Sequence, residues 1–535
     1  MFYCLDVETF ADSNGDGVGD FPGLTRRLDY LAGLGVTCLW LLPFFPTPNR
    51  DDGYDVADYT AIDPRLGDMA DFTEFMTEAA ERGIKVLMEL IPNHTSTDHP
   101  WFREACANPE SRYRDYYVWR TDDPGDTSDQ VVFPGHQDGI WSWNDEAQAW
   151  YLHHFYPHQA DLNFSNPAVR DEFRKIMGFW LQQGVSGFRI DAAPFLIDPT
   201  GLDGQHQLEN THAWLHELRE FAMLRSGNAV LLGEVNVALS KLADYFGGGN
   251  ELQALYNFPM SRFVFLALAL ESADPVTFGL SQMPTIPENG QWVNFLRKHD
   301  ELNLSQLPAN EREIMFREFG PDPEVQIYDR GIRRRLAPMF KGDIARLRTI
   351  FNVMFSLPGA PLIYYGDEIG MGENLDLPER LSVRTPMQWT PYESAGFSTA
   401  PMDDLVRPLT EGRYSFRKVN VSSQRADPDS LLNWLAALIR VRKECPQLGT
   451  DEPKALDLGD PAVLALHYRG DDSGVLVITN LSGTPRKISL EAPGLDVSRA
   501  TDMFRDTAYP RLTGSSRTMT ISANGYRWLR LGGVY

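Results

Sequence analysis

Apolar residues gather into eight short, nearly continuous runs, at residues 2–10, 37–45, 85–92, 187–193, 229–235, 254–259, 293–300 and 361–368. Strands with one face in solvent alternate apolar and polar positions, whereas unbroken runs belong to parallel strands covered on both faces. Helical periodicity fills the intervals. After Asn166-Pro167, the residues Val169, Phe173, Ile176, Met177 and Trp180 recur at helical spacing, and Gly184 stops the helix before the next run. Pro167 suits a first helical turn. Eight strands alternating with helices predict an α/β chain folded as a (β/α)8 TIM barrel, since open doubly wound sheets carry about five or six.

Two stretches break the alternation. Residues 95–164, between the third and fourth strands, are rich in Trp, Tyr, His, Asp and Gly and are too long for an ordinary connection. They predict a small inserted domain. Beyond about residue 448, turn signals such as Gly470-Asp471-Asp472 and the Thr-containing run 475–479 predict a C-terminal antiparallel β-sandwich domain. The expected division is barrel at 1–94, insert at 95–164, barrel again at 165–447 and β-domain at 448–535. There is no internal repeat.

Composition narrows the function. The 535 residues carry 49 Lys+Arg against 74 Asp+Glu, a formal charge of −25, so a polyphosphate partner is not expected and nucleic acid is excluded. No apolar run approaches the roughly 20 residues of a membrane span, and residues 1–10, with Asp6 and Glu8, lack the pattern of a secretory signal. Cys4, Cys38, Cys106 and Cys445 have no metal-ligand spacing and read as buried free thiols, which predicts a cytoplasmic protein.

In a barrel of this kind chemistry sits at the carboxyl ends of the strands. Those ends carry Asn93-His94 after the third strand, Arg189-Ile-Asp191 on the fourth, Glu234 on the fifth and Arg297-Lys298-His299-Asp300-Glu301 on the seventh; Asp51-Asp52-Gly53-Tyr54-Asp55 follows the second. A lone Asp at a strand end usually caps the next helix. Three acids, two histidines and an arginine on one face are costly to bury together unless they serve a ligand. Paired carboxyls are the minimum for glycoside chemistry, one attacking the sugar and the other protonating the departing oxygen. Arg189, two residues before Asp191, points to the same side and is expected to keep Asp191 ionised. Glu234 has no cation beside it in sequence, which suits an acid that must hold its proton.

These runs resemble the α-amylase family of glycoside hydrolases over essentially the whole chain. The matching segments are Glu89 to His94, Gly187 to Asp191, Gly233 to Val235 and His299-Asp300, in the family's order. The resemblance implies that Asp191 is the nucleophile, Glu234 the general acid/base and Asp300 a carboxylate that holds sugar hydroxyls in the transition state. It implies that His94, His299, Arg189, Asp51 and Tyr54 bind the non-reducing glucose, that Arg384 closes the pocket and that Phe133 forms part of its wall. A finer resemblance is to members that interconvert maltose and trehalose. It is carried by DDGYDVADY at 51–59, NHTSTDHPWF at 93–102, GIRRRLAP at 331–338, YYGDEIGMG at 364–372 and VRTPMQWT at 383–390; Pro194-Phe195 stands where that group has Pro-Tyr. It implies a retaining enzyme on a small α-glucoside with minor hydrolysis. An exo-acting α-glucosidase on maltose, sucrose or a related sugar is the alternative, and a catalytically silent relative has no use for a complete acid set. Lys298 departs from the usual Asn before His-Asp, and Glu89 from the commoner Asp. Self-association is left open.

Asp12-Ser-Asn14-Gly-Asp16-Gly-Val18-Gly-Asp20 places oxygen ligands at every second position, the logic of a hard-cation loop. Gly23 at its twelfth position rules out an EF-hand, which needs Glu there. The resemblance implies Ca2+, or Mg2+, on this loop. It also implies a Ca2+ site made by Asn93, Asp161, the carbonyls of Phe195 and Leu196, and Asp198. No organic cofactor is expected. The run Arg333-Arg334-Arg335 reads as a solvated face or as carboxylate partners, and Trp141, Trp143, Trp150, Tyr151 and Phe155 read mostly as the core of the insert.

Overall fold

The computed structural model describes residues 1–197, 212–470 and 473–532. Eight parallel strands close into a barrel: β1 (Phe2–Leu5), β2 (Cys38–Leu41), β3 (Lys85–Leu90), β4 (Gly187–Ile190), β5 (Val230–Gly233), β6 (Ala254–Tyr256), β7 (Gln291–Asn294) and β8 (Ala360–Tyr364). Closure is direct, with Phe2 in register with both Cys38 of β2 and Leu362 of β8. Each strand falls on or against one of the eight apolar runs. The strands are shorter than the runs because the carboxyl-terminal halves leave the sheet to build the site.

The helix foreseen after Asn166 is present as Pro167–Gln182, with the Asn166 side chain accepting the Ala168 N–H. Its predicted stripe of Val169, Phe173, Ile176, Met177 and Trp180 is buried. Gly184 then adopts φ +94°, a left-handed turn open to a residue without a Cβ. The second half of the barrel wall includes helix Ile344–Ser356, whose Asn352 accepts from Trp528 Nε1 at 2.7 Å and donates to Thr479 Oγ1 at 2.8 Å. These bonds seat the C-terminal sheet, five antiparallel strands in the order 454–455, 463–468, 474–480, 526–531 and 501–505. A two-stranded ribbon, Arg486–Ser489 with Thr518–Ile521, packs against it over a separate apolar core that includes Ile478, Ile488 and Leu529.

Between β3 and the Pro167 helix lie a three-stranded sheet (119–120, 149–152, 141–144) and a short pair, His94–Ser96 with Gln159–Asp161. Trp143 is exposed while Tyr151 is buried, so the aromatic cluster is core only in part. One feature has no counterpart in the apolar pattern. After β7, residues 302–332 form a helix, Ala309–Phe319, and a three-stranded ribbon that carries Tyr328 and Arg330 over the barrel mouth. Cys4, Cys106 and Cys445 are buried and Cys38 partly so, all four as free thiols. No helix among the described residues is long and apolar enough to cross a membrane.

Candidate active site

Strand register assembles the centre. Glu89 on β3 stands opposite Arg189 on β4, and both side chains are fully buried. The ladder runs one residue past the strand ends: the Asp191 N–H donates to the Leu90 carbonyl at 2.9 Å and the Glu234 N–H to the Ile190 carbonyl at 3.0 Å. Both acids therefore face the same guanidinium. Arg189 Nη1 contacts Asp191 and lies 3.0 Å from Glu89, while Nη2 reaches Glu234 at 2.7 Å. Two carboxyls on one guanidinium suit the separation of roughly 5 Å that retaining glycosidases use. Ala192, next to Asp191, holds φ +48°, a strained turn for a residue with a Cβ.

The segment after β7 supplies the opposite wall. Lys298 Nζ lies 2.7 Å from Glu234 and also contacts Asp300. Asp300 further receives Arg380 Nη1 at 3.1 Å and Arg384 Nη2 at 3.2 Å. The ring of His299 stacks on Tyr54 with planes 6° apart, and its Nε2 is 2.8 Å from the Tyr54 hydroxyl. That hydroxyl donates to Glu89 at 2.7 Å. His94 Nε2 lies 3.1 Å from the Tyr54 carbonyl.

The charge distribution corrects the sequence-based expectation for the two principal acids. Burial raises Asp191 to about 7, against the pull of Arg189 and with the Glu234 charge adding to the rise. Burial also acts to raise Glu234, but Arg189 and Lys298 together carry it below the usual range. Glu234 thus has two cations beside it in space, although its sequence neighbours are uncharged. The cations responsible sit on β4 and after β7, remote from Glu234 in sequence. Burial likewise pushes Asp300 upward, but the Lys298, Arg380 and Arg384 charges override it and hold Asp300 well below the usual carboxylate range. Burial raises Glu89 to about 8 despite Arg189. His299 is pushed well below its ordinary value by burial, with Lys298 and Arg384 reinforcing the shift against the opposing Asp300 charge, so the ring is neutral.

A cavity of about 450 Å3, within the size range of small-molecule sites, gathers Asp51, Tyr54, His94, Asp191, Glu234, His299 and Asp300. Phe133 lines it too, stacked on Tyr156 with centroids 4.7 Å apart. Phe155 belongs to this wall and not to the core of the insert. Arg384 stands behind the lining: it pairs with Asp52 at 2.6 Å and donates to the His299 carbonyl at 3.0 Å. Arg380, four residues earlier, lines the cavity together with Arg330, and it bridges Asp51 at 2.8 Å and Asp300 while lying 4.8 Å from the Phe133 ring. Its loop is pinned by Arg333, which donates to the Leu377 carbonyl at 2.9 Å. Arg334 pairs with Glu373 at 2.8 Å, and Arg335 is buried against Tyr364 and Tyr365. The triple arginine run is therefore structural and not a solvated face.

The loop of Asp12, Asn14, Asp16, Val18 and Asp20 is built on side-chain-to-backbone bonds. Asp12 accepts the N–H groups of Asn14, Gly15 and Gly17, Asp16 accepts that of Val18, and Asp20 caps Gly23. Four side-chain oxygens and the Val18 carbonyl are hard donors suited to Ca2+ or Mg2+. Asn93, Asp161, Phe195 and Leu196 line a second, smaller cavity of about 190 Å3, with Asn93 Nδ2 3.2 Å from Asp161 and His154 in contact with the same carboxylate. Asp198 lies outside the described residues. Asp6, Glu8 and Asp52 also converge, but on Arg407, which pairs with Glu8 at 2.6 Å and contacts Asp52.

A closed eight-stranded barrel with this acid set defines a glycoside-acting enzyme, and the chain belongs to the alpha-amylase family: the model of the alpha amylase catalytic domain matches residues 7–312 and 331–451. The interruption falls within the helix and ribbon after β7. Among curated proteins, the chain is 39% identical to the trehalose synthase of Pimelobacter sp. (strain R48), over 99% of this chain and 95% of that one. It is 38% identical to the trehalose synthase/amylase of Mycobacterium tuberculosis (strain ATCC 25618 / H37Rv), over 99% and 89%. Among solved structures it is similar to the alpha-amylase from H.orenii, with a TM-score of 0.81, 27% identity and 99% of both chains covered.

Proposed function

We propose that the protein interconverts maltose and trehalose by retaining α-glucosyl transfer. The reading rests above all on one cavity in which Asp191, Glu234 and Asp300 meet behind the Asp51–Arg380 bridge; near full-length likeness to proteins named trehalose synthase supports it. In the first half-reaction an Asp191 oxygen bonds to C1 of the terminal glucose as the C1–O4 bond of maltose breaks, and Glu234 delivers its proton to the departing oxygen. Asp300, ionised, holds ring hydroxyls of the flattened transition state. The freed glucose turns within the closed site, Glu234 takes the proton of its anomeric hydroxyl, and that oxygen displaces Asp191 to give the 1,1 bond. Walls that exclude water favour the retained sugar over hydrolysis.

The test is product analysis after incubation with maltose, with trehalose and with sucrose. Expected are trehalose from maltose, maltose from trehalose, a minor amount of glucose, and no cleavage of internal bonds in starch. Abundant glucose with no trehalose would instead assign an exo-acting α-glucosidase.

The oxygen-rich loop at residues 12–20 is proposed to hold Ca2+, with Mg2+ as the alternative, and to act in stability and not in catalysis. An ion bound only by the folded chain stabilises it. Asp12→Ala and Asp16→Ala should lower the melting temperature while activity per folded molecule stays within about twofold of the parent. If chelation shifts neither melting temperature nor bound metal content, the ligand assignment fails. For Asn93, Asp161, Phe195 and Leu196 a second Ca2+ is proposed on family likeness, where it would tie the insert to the barrel.

A further inference from the structure

Lys298 is the one cation that the segment after β7 places directly between two of the carboxyls of the site. Its side chain is almost fully buried, its Nζ lies 2.7 Å from Glu234 Oε1, and the same ammonium contacts Asp300 Oδ2. The Phe258 ring, 5.7 Å from Nζ, closes off its other side. Asp300 has other partners in Arg380, Arg384 and His299. Among the described residues the other cation on Glu234 is Arg189, which is shared with Asp191 and Glu89, and the Ala192 N–H donates weakly to it at 3.5 Å. The charge that Lys298 supplies is therefore one of two beside Glu234 and one of several beside Asp300.

We propose that Lys298 is a positioning residue for the acid/base: its ammonium, wedged between Glu234 and Asp300, sets the pH range over which Glu234 can protonate a departing sugar. This inference rests on the assignment of Glu234 as the acid/base. The groups that face Glu234 are Arg189 and Asp191 from β4 and the residue after it, Glu89 from β3, Tyr256 from β6, and Lys298 and Asp300 from the segment after β7. An adjacent ammonium favours the carboxylate form. The first half-reaction requires the carboxylic acid. Lys298 thus brings the loss of activity on the alkaline side to a lower pH than a neutral residue at this position would. In return it favours the carboxylate needed as base in the second half-reaction, when the retained glucose must lose its anomeric proton. A neutral side chain reverses both effects, so one residue balances the two steps.

The experiment is the pH dependence of kcat and kcat/KM on maltose for the parent, Lys298→Asn, Lys298→Met and Lys298→Arg. The alkaline limb of kcat/KM should move upward by about one pH unit in the Asn and Met variants, making their ratio to the parent rise up to about tenfold across that limb. Lys298→Arg keeps the charge and should keep the parent limb. Limbs unmoved in both neutral variants would overturn the proposal. If those variants turn over too slowly, carboxyl NMR titration of the empty proteins reads the same equilibrium: Glu234 should titrate higher in both, and an unchanged titration would overturn it. Glu234→Gln separates the two levels of the argument. Normal maltose turnover in that variant removes the acid/base assignment itself; lost turnover there, with unmoved limbs in the Lys298 variants, removes only the role of Lys298.

Discussion

Asp191→Ala should reduce maltose turnover by several orders of magnitude, to about 10^4-fold or more below the parent, because it removes the carboxylate that bonds to C1. Glu234→Gln should cost a comparable factor with maltose. With an aryl α-glucoside the loss should be far smaller, since a good leaving group departs without a proton. This split is what distinguishes an acid/base from a residue that only shapes the pocket. Turnover near that of the parent in either variant, with the fold intact by circular dichroism, would contradict the assignment.

The second large effect concerns Arg189. It is buried and holds Glu89, Asp191 and Glu234 on one guanidinium. Removing one partner of a buried ionic cluster costs about 3–5 kcal/mol, because the remaining charges lose their compensation. Arg189→Ala should therefore unfold well below the melting temperature of the parent and lose activity together with stability. The pH dependence has a definite sign. Asp191 is raised to about 7 and Glu89 to about 8 in the folded chain, above ordinary carboxyl values. Between about pH 4 and 8 the folded state thus binds more of these protons than the unfolded one, and their contribution to stability falls as pH rises. Without Arg189 both groups resist ionisation further. The stability deficit of the variant should accordingly widen from pH 5 to pH 8, as thermal melts at several pH values would report. A deficit independent of pH would mean that Arg189 acts by packing alone. Arg189→Lys should not rescue activity, since one ammonium cannot serve three carboxyls in the planar geometry of the guanidinium.

What was legible in the sequence follows from what is local. Most of the eight strands could be read because burial on both faces leaves a nearly unbroken apolar run, whereas β7 begins at Gln291, ahead of the run at 293–300, and shares only Val293 and Asn294 with it. The helix at Pro167–Gln182 could be read because its cap, its stripe and its terminating glycine are all written within a few residues. The acids of the site could be read because strand ends carry them. The helix and ribbon at residues 302–332 left no such mark: strands of two residues, at 302–303, 326–327 and 331–332, are too short for a period to appear. Arg380 does not stand out beside Arg384 in the sequence because its place in the wall depends on how the turn Glu379–Val383 presents it to Asp51, more than 300 residues away in the chain. The charges around Glu234 leave no mark near it in the sequence for a similar reason. Sequence neighbours of Glu234 are uncharged, while the two cations beside it arrive from β4 and from the segment after β7.

The geometry also explains why an acid set common to hydrolases would serve transfer in this chain. The insert contributes Phe133 and Phe155, the ribbon after β7 contributes Arg330, and the Arg380 bridge spans the side toward Asp51. Three separate segments thus wall the same cavity.

The most direct measurement is conversion of unlabelled maltose in the presence of excess 13C-labelled glucose, with the trehalose formed analysed by mass spectrometry. If the glucose freed in the first half-reaction stays in the cavity while Asp191 carries the glucosyl group, trehalose appears and almost none of it contains label. Trehalose carrying label in proportion to the free pool, or glucose accumulating with no trehalose at all, would contradict the account.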